Sequence, residues 1–380
     1  MTNNLSAPPE ALSAPSQRTP GDGPVKNLFA CAGAWLRGED GPHEMLSDVL
    51  GRRNDNFLAI RIVAAAVVIY GHVALAPKWT TYEDLFRVVL DWGYYSGDIA
   101  VNAFFLISGL LVSNSFIRQR SLYRFAKARF LRIVPGFFVN VVLLALPIGL
   151  LLTTLDASSY LHDSRTWGYI TTNLKFRSDL AWTLPGVFEN LRYATVNGSQ
   201  WTLPAEVRMY LLLVIFGAFG LLRTVRTANI VLAVFVAGAV IHPDFYPLDQ
   251  TWFQPAAYFA LGVALFINRA HLPLRFDMVL AAVILAVITR RLPIYPLTFA
   301  LALAAVVLWS AYKTRPLRWL ERGGDPSYGI YLWGWPAQQV VATYCPGLGL
   351  AGHVIIAVAL ATLAGYLSWH LIESRMLRLK

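Results

Sequence analysis

Arg61 and His72 lie eleven positions apart inside one apolar stretch, residues 57–76. On an α-helix that separation is about three turns plus ~20°, which puts both side chains on one face, roughly 16 Å apart along the axis. A charged group inside a bilayer-spanning helix costs roughly 2.5–3.5 kcal/mol even on the lenient insertion scale, so such residues face a polar cavity rather than lipid. A guanidinium offers fixed donors to phosphate or carboxylate, whereas an imidazole can take a proton from a hydroxyl or itself carry a transferred group. Taken singly, Arg61 is explained by a side chain reaching for headgroups and His72 by a hydrogen-bonded interior histidine. Their common face favours chemistry.

Two further groups strengthen that reading. Arg129 and Arg132 are neighbours at i, i+3 on a helix, and two guanidinium forks side by side can clamp phosphate oxygens, although charge alone also fits an ordinary cytoplasmic basic cluster. The run from Asn197 to Tyr210 opens a later apolar span. There Thr202 is placed to cap the helix, Pro204 falls in its donor-free first turn, and Glu206 sits where the positive helix end favours a carboxylate. That account leaves unexplained why Glu206, Arg208 and Tyr210 continue into an apolar span, so they are candidates for a polar cavity. Trp201, Tyr210 and Tyr331 are the expected substrate-contacting aromatics.

The elements that must position these residues follow from composition. The chain has 380 residues, 56% of them hydrophobic and 14% charged, and a mean hydropathy of +0.49. These values describe an all-α, polytopic integral membrane protein rather than a soluble enzyme. About ten apolar segments approach the ~20 residues a spanning helix needs: 57–76, 97–116, 133–154, 201–222, 227–242, 251–268, 277–290, 294–312, 326–344 and 350–373. The net charge of +10 would fit nucleic acid, but Lys and Arg gather in alternate loops. Residues 117–132 hold Arg118, Arg120, Arg124, Lys127, Arg129 and Arg132 with no acid among them. The positive-inside rule places these loops and both termini in the cytoplasm, which points to the inner membrane and away from nucleic acid. Arg290 and Arg291 are the exception, falling outside.

Residues 1–50 read as a disordered or interfacial cytoplasmic segment, polar and Pro-rich before an apolar patch at Leu28, Phe29 and Trp35. Residues 51–376 form the membrane domain, interrupted by a long extracytoplasmic loop, 155–200, in which Tyr160, Trp167, Tyr169, Trp182 and Tyr193 stand among polar residues. Such rings suit sugar faces, or anchor at the interface. Cys31 and Cys345 have neither disulfide-framework nor metal-ligand spacing, and His370 with Glu373 does not define a metal site. No metal is expected. Gly347 to Gly352 matches a dinucleotide fingerprint by letter but has no strand before it. Asn197-Gly-Ser199 fits a glycosylation acceptor by coincidence.

The ordered set of motifs resembles membrane acyltransferase family 3, which includes O-acetyltransferases of O-antigen, exopolysaccharide and Nod-factor pathways. The set is Arg61-x10-His72, Gly97 to Leu110 with Phe104, Phe105, Ser108 and Gly109, Arg124 to Pro135 with Arg129 and Arg132, Gln200 to Glu206, Tyr258 to Gly262, and Ser327 to Trp333 with Tyr331. The resemblance runs from about residue 54 to 376. It implies transfer of an acyl group, typically acetyl from cytoplasmic acetyl-CoA, to a hydroxyl of a carbohydrate or lipid-linked glycan. By position, His72 resembles the family's essential histidine, Arg61 its partner, Arg129 and Arg132 the pair near the CoA phosphates, and Glu206 the acid of a Trp-Ser-Leu-x-x-Glu segment. No resident cofactor is implied, and acyl-CoA and membrane lipid are the expected partners. The chain departs from the pattern at Asn102, where many members have Asp, at Gln200 and Thr202, and at Gly334, often His. A transporter or flippase of a lipid-linked glycan is the competing class, with intramembrane Arg, His and Glu as a substrate path. A non-catalytic scaffold is a third.

Overall fold

The computed structural model describes residues 44–52, 54–73, 84–89, 91–119, 121–241, 249–315 and 317–380. The expectations for residues 1–43, including Cys31, and for the end of the first stretch beyond Val73 lie outside the described residues. Among those described there is no β-strand, only an isolated bridge between Met45 and Pro273. In lipid, helices satisfy every backbone group within one segment, which is why so apolar a chain takes this form.

The helices are α1 (Phe57–Val73), α2 (Ser96–Gln119), α3 (Leu122–Leu143), α4 (Ala157–His162), α5 (Ser164–Asn173), α6 (Thr202–Ala218), α7 (Val225–Ile241), α8 (Phe253–Ile267), α9 (Phe276–Thr289), α10 (Tyr295–Lys313), α11 (Ser327–Tyr344) and α12 (Leu350–Ser368). Each apolar segment read from the sequence falls on one of them. Among the described residues, five continuous helical stretches are long and apolar enough to cross a membrane: Ser96–Gln119, Leu122–Leu152, Gly198–Ala218, Tyr295–Lys313 and Leu350–Leu377. Shorter apolar helices stand beside them, α1 among them.

Close backbone approach sets the centre of the bundle. A Cβ on Gly109 of α2 would strike the carbonyl oxygen of Phe259, and one on Gly262 of α8 would strike that of Leu106. Small residues allow such contact, and van der Waals packing is the main attraction available between helices in lipid. Wide turns carry α3 through Leu144–Ile148, where Pro147 removes a backbone donor, and α12 through Trp369–Glu373. The second of these turns carries Trp369 and Glu373 to the side of the bundle on which Arg132 stands.

Three expectations change. Residues 44–50 belong to the folded unit: Leu46 and Val49 are buried, Leu46 N donates to Leu272 O at 2.8 Å and Leu274 N to Glu44 O at 3.0 Å. The 155–200 connection has regular structure of its own, α4 and α5, because Asp156 and Asp163 cap the two helices. Tyr160 and Tyr169 are fully buried there and serve the core, while Trp167, Trp182 and Tyr193 stay exposed. Thr202 does not cap α6. Asn197 caps the preceding 3-10 turn, Gly198–Trp201, by accepting from Ser199 N, which frees the Thr202 hydroxyl for another partner. The misplaced charges of Arg290 and Arg291 are met by Asp91, at 3.8 and 3.5 Å.

Candidate active site

A cavity of about 360 Å³ opens among α1, α2, α3, α6 and α11, and six of the nine residues singled out from the sequence line it: Arg61, Arg129, Arg132, Glu206, Tyr210 and Tyr331. His72, Trp201 and Arg208 do not; Arg208 Nη1 instead donates to Phe176 O at 2.8 Å, and its guanidinium stands 4.7 Å from the Trp252 ring centre. The helix registers produce this selection. Arg61 lies one turn into α1, Arg129 and Arg132 face inward from α3, and Glu206 and Tyr210 are one turn apart on α6.

One wall is cationic. Asp325, just ahead of α11, ties two of its arginines together: Oδ2 accepts from Arg61 Nη2 at 2.9 Å and from Arg132 Nη2 at 2.8 Å. Its Oδ1 accepts from the Ser327 hydroxyl at 2.5 Å and from Ser327 N at 3.3 Å. Burial works to raise the Asp325 carboxyl, but the charges of Arg132 and Arg61 overcome it and hold the group well below the usual carboxylate range. The pairing thus differs from the i, i+3 expectation. Arg132 joins Arg61 through Asp325, with Glu373 behind it at 3.7 Å, while Arg129 stands over the rings of Phe125 and Tyr210 at 5.9 and 5.8 Å. The Nε groups of Arg61 and Arg129 are buried without a hydrogen-bond partner among the described residues. Lys380 completes the basic wall.

Next to these arginines the cavity holds a carboxylate and two hydroxyls. Tyr210 Oη donates to Glu206 Oε1 and lies 3.1 Å from the Ser108 hydroxyl, giving a connected path from Ser108 through Tyr210 to Glu206. At the far end, Thr202 Oγ1 and Tyr331 Oη are 2.8 Å apart, and the Phe104 ring packs edge-on against Tyr331 at 5.7 Å. Such a room can hold a polyanionic ligand at its basic end and move a proton near its middle.

His72 lies outside the cavity. It is buried with its ring edge-on to Trp335 at 4.9 Å, and its Nδ1 has no partner among the described residues. Trp335 stands one turn beyond Tyr331 on α11, so the same helix face forms the cavity wall and then the contact with His72. The helices touch closely there: a Cβ on Gly334 would sit 2.8 Å from Ile69 Cγ1, so a histidine at 334 would require the Ile69 side chain to move. Half-buried Trp201 closes the 3-10 turn ahead of α6.

Asp325, Ser108 and Lys380 were not legible as site residues. Gly-Gly-Asp325-Pro reads as a helix-start turn, Ser108 sits in a packing motif, and Lys380 belongs to a basic tail. Their roles depend on which helices meet.

Comparison with known proteins decides the family. A model of the acyltransferase domain matches residues 54–370, most of the chain. The chain belongs to acyltransferase family 3. Within this family it is 27% identical to an O-acetyl transferase of Shigella phage Sf6, over 86% of this chain and 96% of that one. It is 27% identical to Nodulation protein 10 of Rhizobium leguminosarum bv. viciae, over 87% and 95% of the two chains. It is 29% identical to the exopolysaccharide production protein ExoZ of Rhizobium meliloti (strain 1021), over 74% and 90%. No solved structure matches it. Membership makes this helical membrane protein an acyltransferase, and the cavity, lined by Arg61, Arg129, Arg132 and Glu206, is its candidate active site.

Proposed function

We propose that the protein is a ten-span enzyme of the bacterial inner membrane that transfers an acetyl group from cytoplasmic acetyl-CoA to a hydroxyl of an exported or cell-surface carbohydrate. One observation carries the reading: four cations, Arg61, Arg129, Arg132 and Lys380, line one cavity against two carboxylates, Asp325 and Glu206. The excess positive charge and the unsatisfied Nε groups suit the phosphates of CoA. The names of the relatives, an O-acetyl transferase and an exopolysaccharide production protein, support the acetyl group and the carbohydrate.

In this reading the phosphates dock on the basic wall and the pantetheine arm carries the thioester inward past Glu206 and Tyr331. The acceptor oxygen attacks the thioester carbonyl carbon. As the new C–O bond forms and the C–S bond breaks, the hydroxyl proton passes to a base and the sulfur leaves as the CoA thiolate, which becomes the thiol when the base gives up that proton. His72 is that base on the acceptor side. Glu206, linked to Tyr210 and Ser108, holds or moves a proton on the donor side. The flippase reading loses ground to family membership.

Purified protein titrated with acetyl-CoA tests the donor. Saturable binding that free acetate does not compete away is expected, and no binding would show that the acyl group comes from another donor. A pH dependence accompanies it. Desolvation first, then the charges of Arg129 and Arg132, push Lys380 down to about 8. The charged lysine is therefore penalised in the free protein at pH below about 8, and the penalty lifts as pH rises and the proton leaves. An anionic donor favours the charged form, so its binding is expected to weaken as pH rises through 8. Lys380→Gln is expected to flatten that dependence, as measured by calorimetric titration across the neutral to alkaline range. A slope unchanged in the variant would assign it to another group.

A further inference from the structure

The segment between α5 and α6 is irregular in path yet held by side chains at successive points. Trp335 Nε1 donates to Thr195 O at 2.8 Å, and Gln339 Nε2 donates to Tyr193 O at 2.8 Å and Thr195 O at 2.7 Å. Val196 N donates to Trp182 O at 2.8 Å, and Ala181 is bonded both ways to the Asn173 amide, at 2.9 and 3.0 Å. These bonds fix the backbone at 181–182 and 193–196 to the turn of α11 whose Trp335 touches His72. On that immobilised backbone two large rings point outward. Trp182 is 37% exposed and Tyr193 41%, and the Arg192 guanidinium stands 5.4 Å from the Tyr193 ring centre.

A ligand that covers rings already held on a fixed backbone loses little freedom in ordering them. Beside them in the sequence stand exposed polar residues, Thr183, Glu189, Asn190 and Arg192. A carbohydrate matches this combination: the C–H face of a pyranose lies on an aromatic face while its hydroxyls reach the polar rim. Trp and Tyr supply such contact at low entropic cost because few torsions must be frozen.

We infer that Trp182, Tyr193 and Arg192 form a carbohydrate-binding platform that presents the acceptor to the His72 end of the enzyme. The inference rests on the proposed acetyl transfer and adds where the acceptor is held. Trp167 provides the contrast. It is 49% exposed, on α5, and its Nε1 donates to Leu161 O at 2.8 Å, a bond to α4 and not to α11.

The test measures acetyl transfer from labelled acetyl-CoA to the host cell's own surface polysaccharide, de-O-acetylated with mild base, with acetyl-CoA binding measured on the same preparations. Trp182→Ala and Tyr193→Ala are expected to raise the half-saturating polysaccharide concentration about tenfold each, with donor affinity as in wild type. Trp182→Phe is expected to recover much of the loss, because it keeps a flat ring without the indole. Trp167→Ala is expected to match wild type. Acceptor dependence within twofold of wild type in both alanine variants overturns the platform. Equal losses in all three alanine variants assign the rings to interfacial anchoring and overturn it as well. Wild-type protein that fails to bind acetyl-CoA would instead refute the donor reading on which the inference rests.

Discussion

Replacing Arg132 by alanine is expected to cost about 3–5 kcal/mol of stability and to eliminate donor binding. The side chain is 18% exposed, pairs with Asp325 at 2.8 Å and Glu373 at 3.7 Å, and lies over the rings of Tyr328 and Trp369 at 5.9 and 6.0 Å. Glu373 is 1% exposed, so removal of the guanidinium leaves a carboxylate with almost no water to solvate it. Breaking one side of a buried pair is costly for that reason, whereas replacing all partners by neutral groups is not. The combination Arg132→Leu, Asp325→Asn, Glu373→Gln is therefore expected to recover much of the lost stability while leaving acetyl-CoA binding absent. Thermal unfolding in detergent and donor titration on the same samples separate the two effects. An Arg132→Ala protein that unfolds at the wild-type temperature would show that the ion pairs are not a structural element.

The second large effect concerns His72. His72→Ala is expected to lower acetyl transfer by about 10²–10⁴-fold, the usual range for loss of a general base, and to leave donor affinity unchanged. The separation of the two sites demands that split, since Arg61, Arg129 and Arg132 line the cavity and His72 packs beyond Tyr331 against Trp335. His72→Phe retains a ring beside Trp335 and is expected to show the same catalytic loss with less disturbance of packing. CoA release in the presence of acceptor, with binding measured separately, checks both. Wild-type turnover would remove His72 from the mechanism, and weakened donor binding would move it into the donor site.

The chain resolves into what local pattern can say and what it cannot. Apolar runs of the length of a helix crossing lipid announced α1 to α3 and α6 to α12, because hydropathy acts residue by residue and the bilayer leaves the backbone few alternatives. Arg61, Arg129, Arg132, Glu206 and Tyr210 were also visible, because an ionisable or hydroxyl group in such a run stands out against its surroundings. Spacing along one helix, however, predicted a single cavity for Arg61 and His72, and the pairing of Arg129 with Arg132. In the folded chain Asp325 joins Arg61 to Arg132 across positions far apart in sequence, and α11 places Tyr331 in the cavity and Trp335 on His72. The rings of the 155–200 segment were indistinguishable as letters, yet Tyr160 and Tyr169 are buried while Trp182 and Tyr193 are displayed. Sequence alone determined that this is a helical membrane protein of a recognisable acyltransferase pattern, since hydropathy and short motifs are properties of contiguous residues. Only the tertiary structure decided which charges share a cavity and which rings face outward, since those depend on how separate helices pack and on where each buried charge finds its partner.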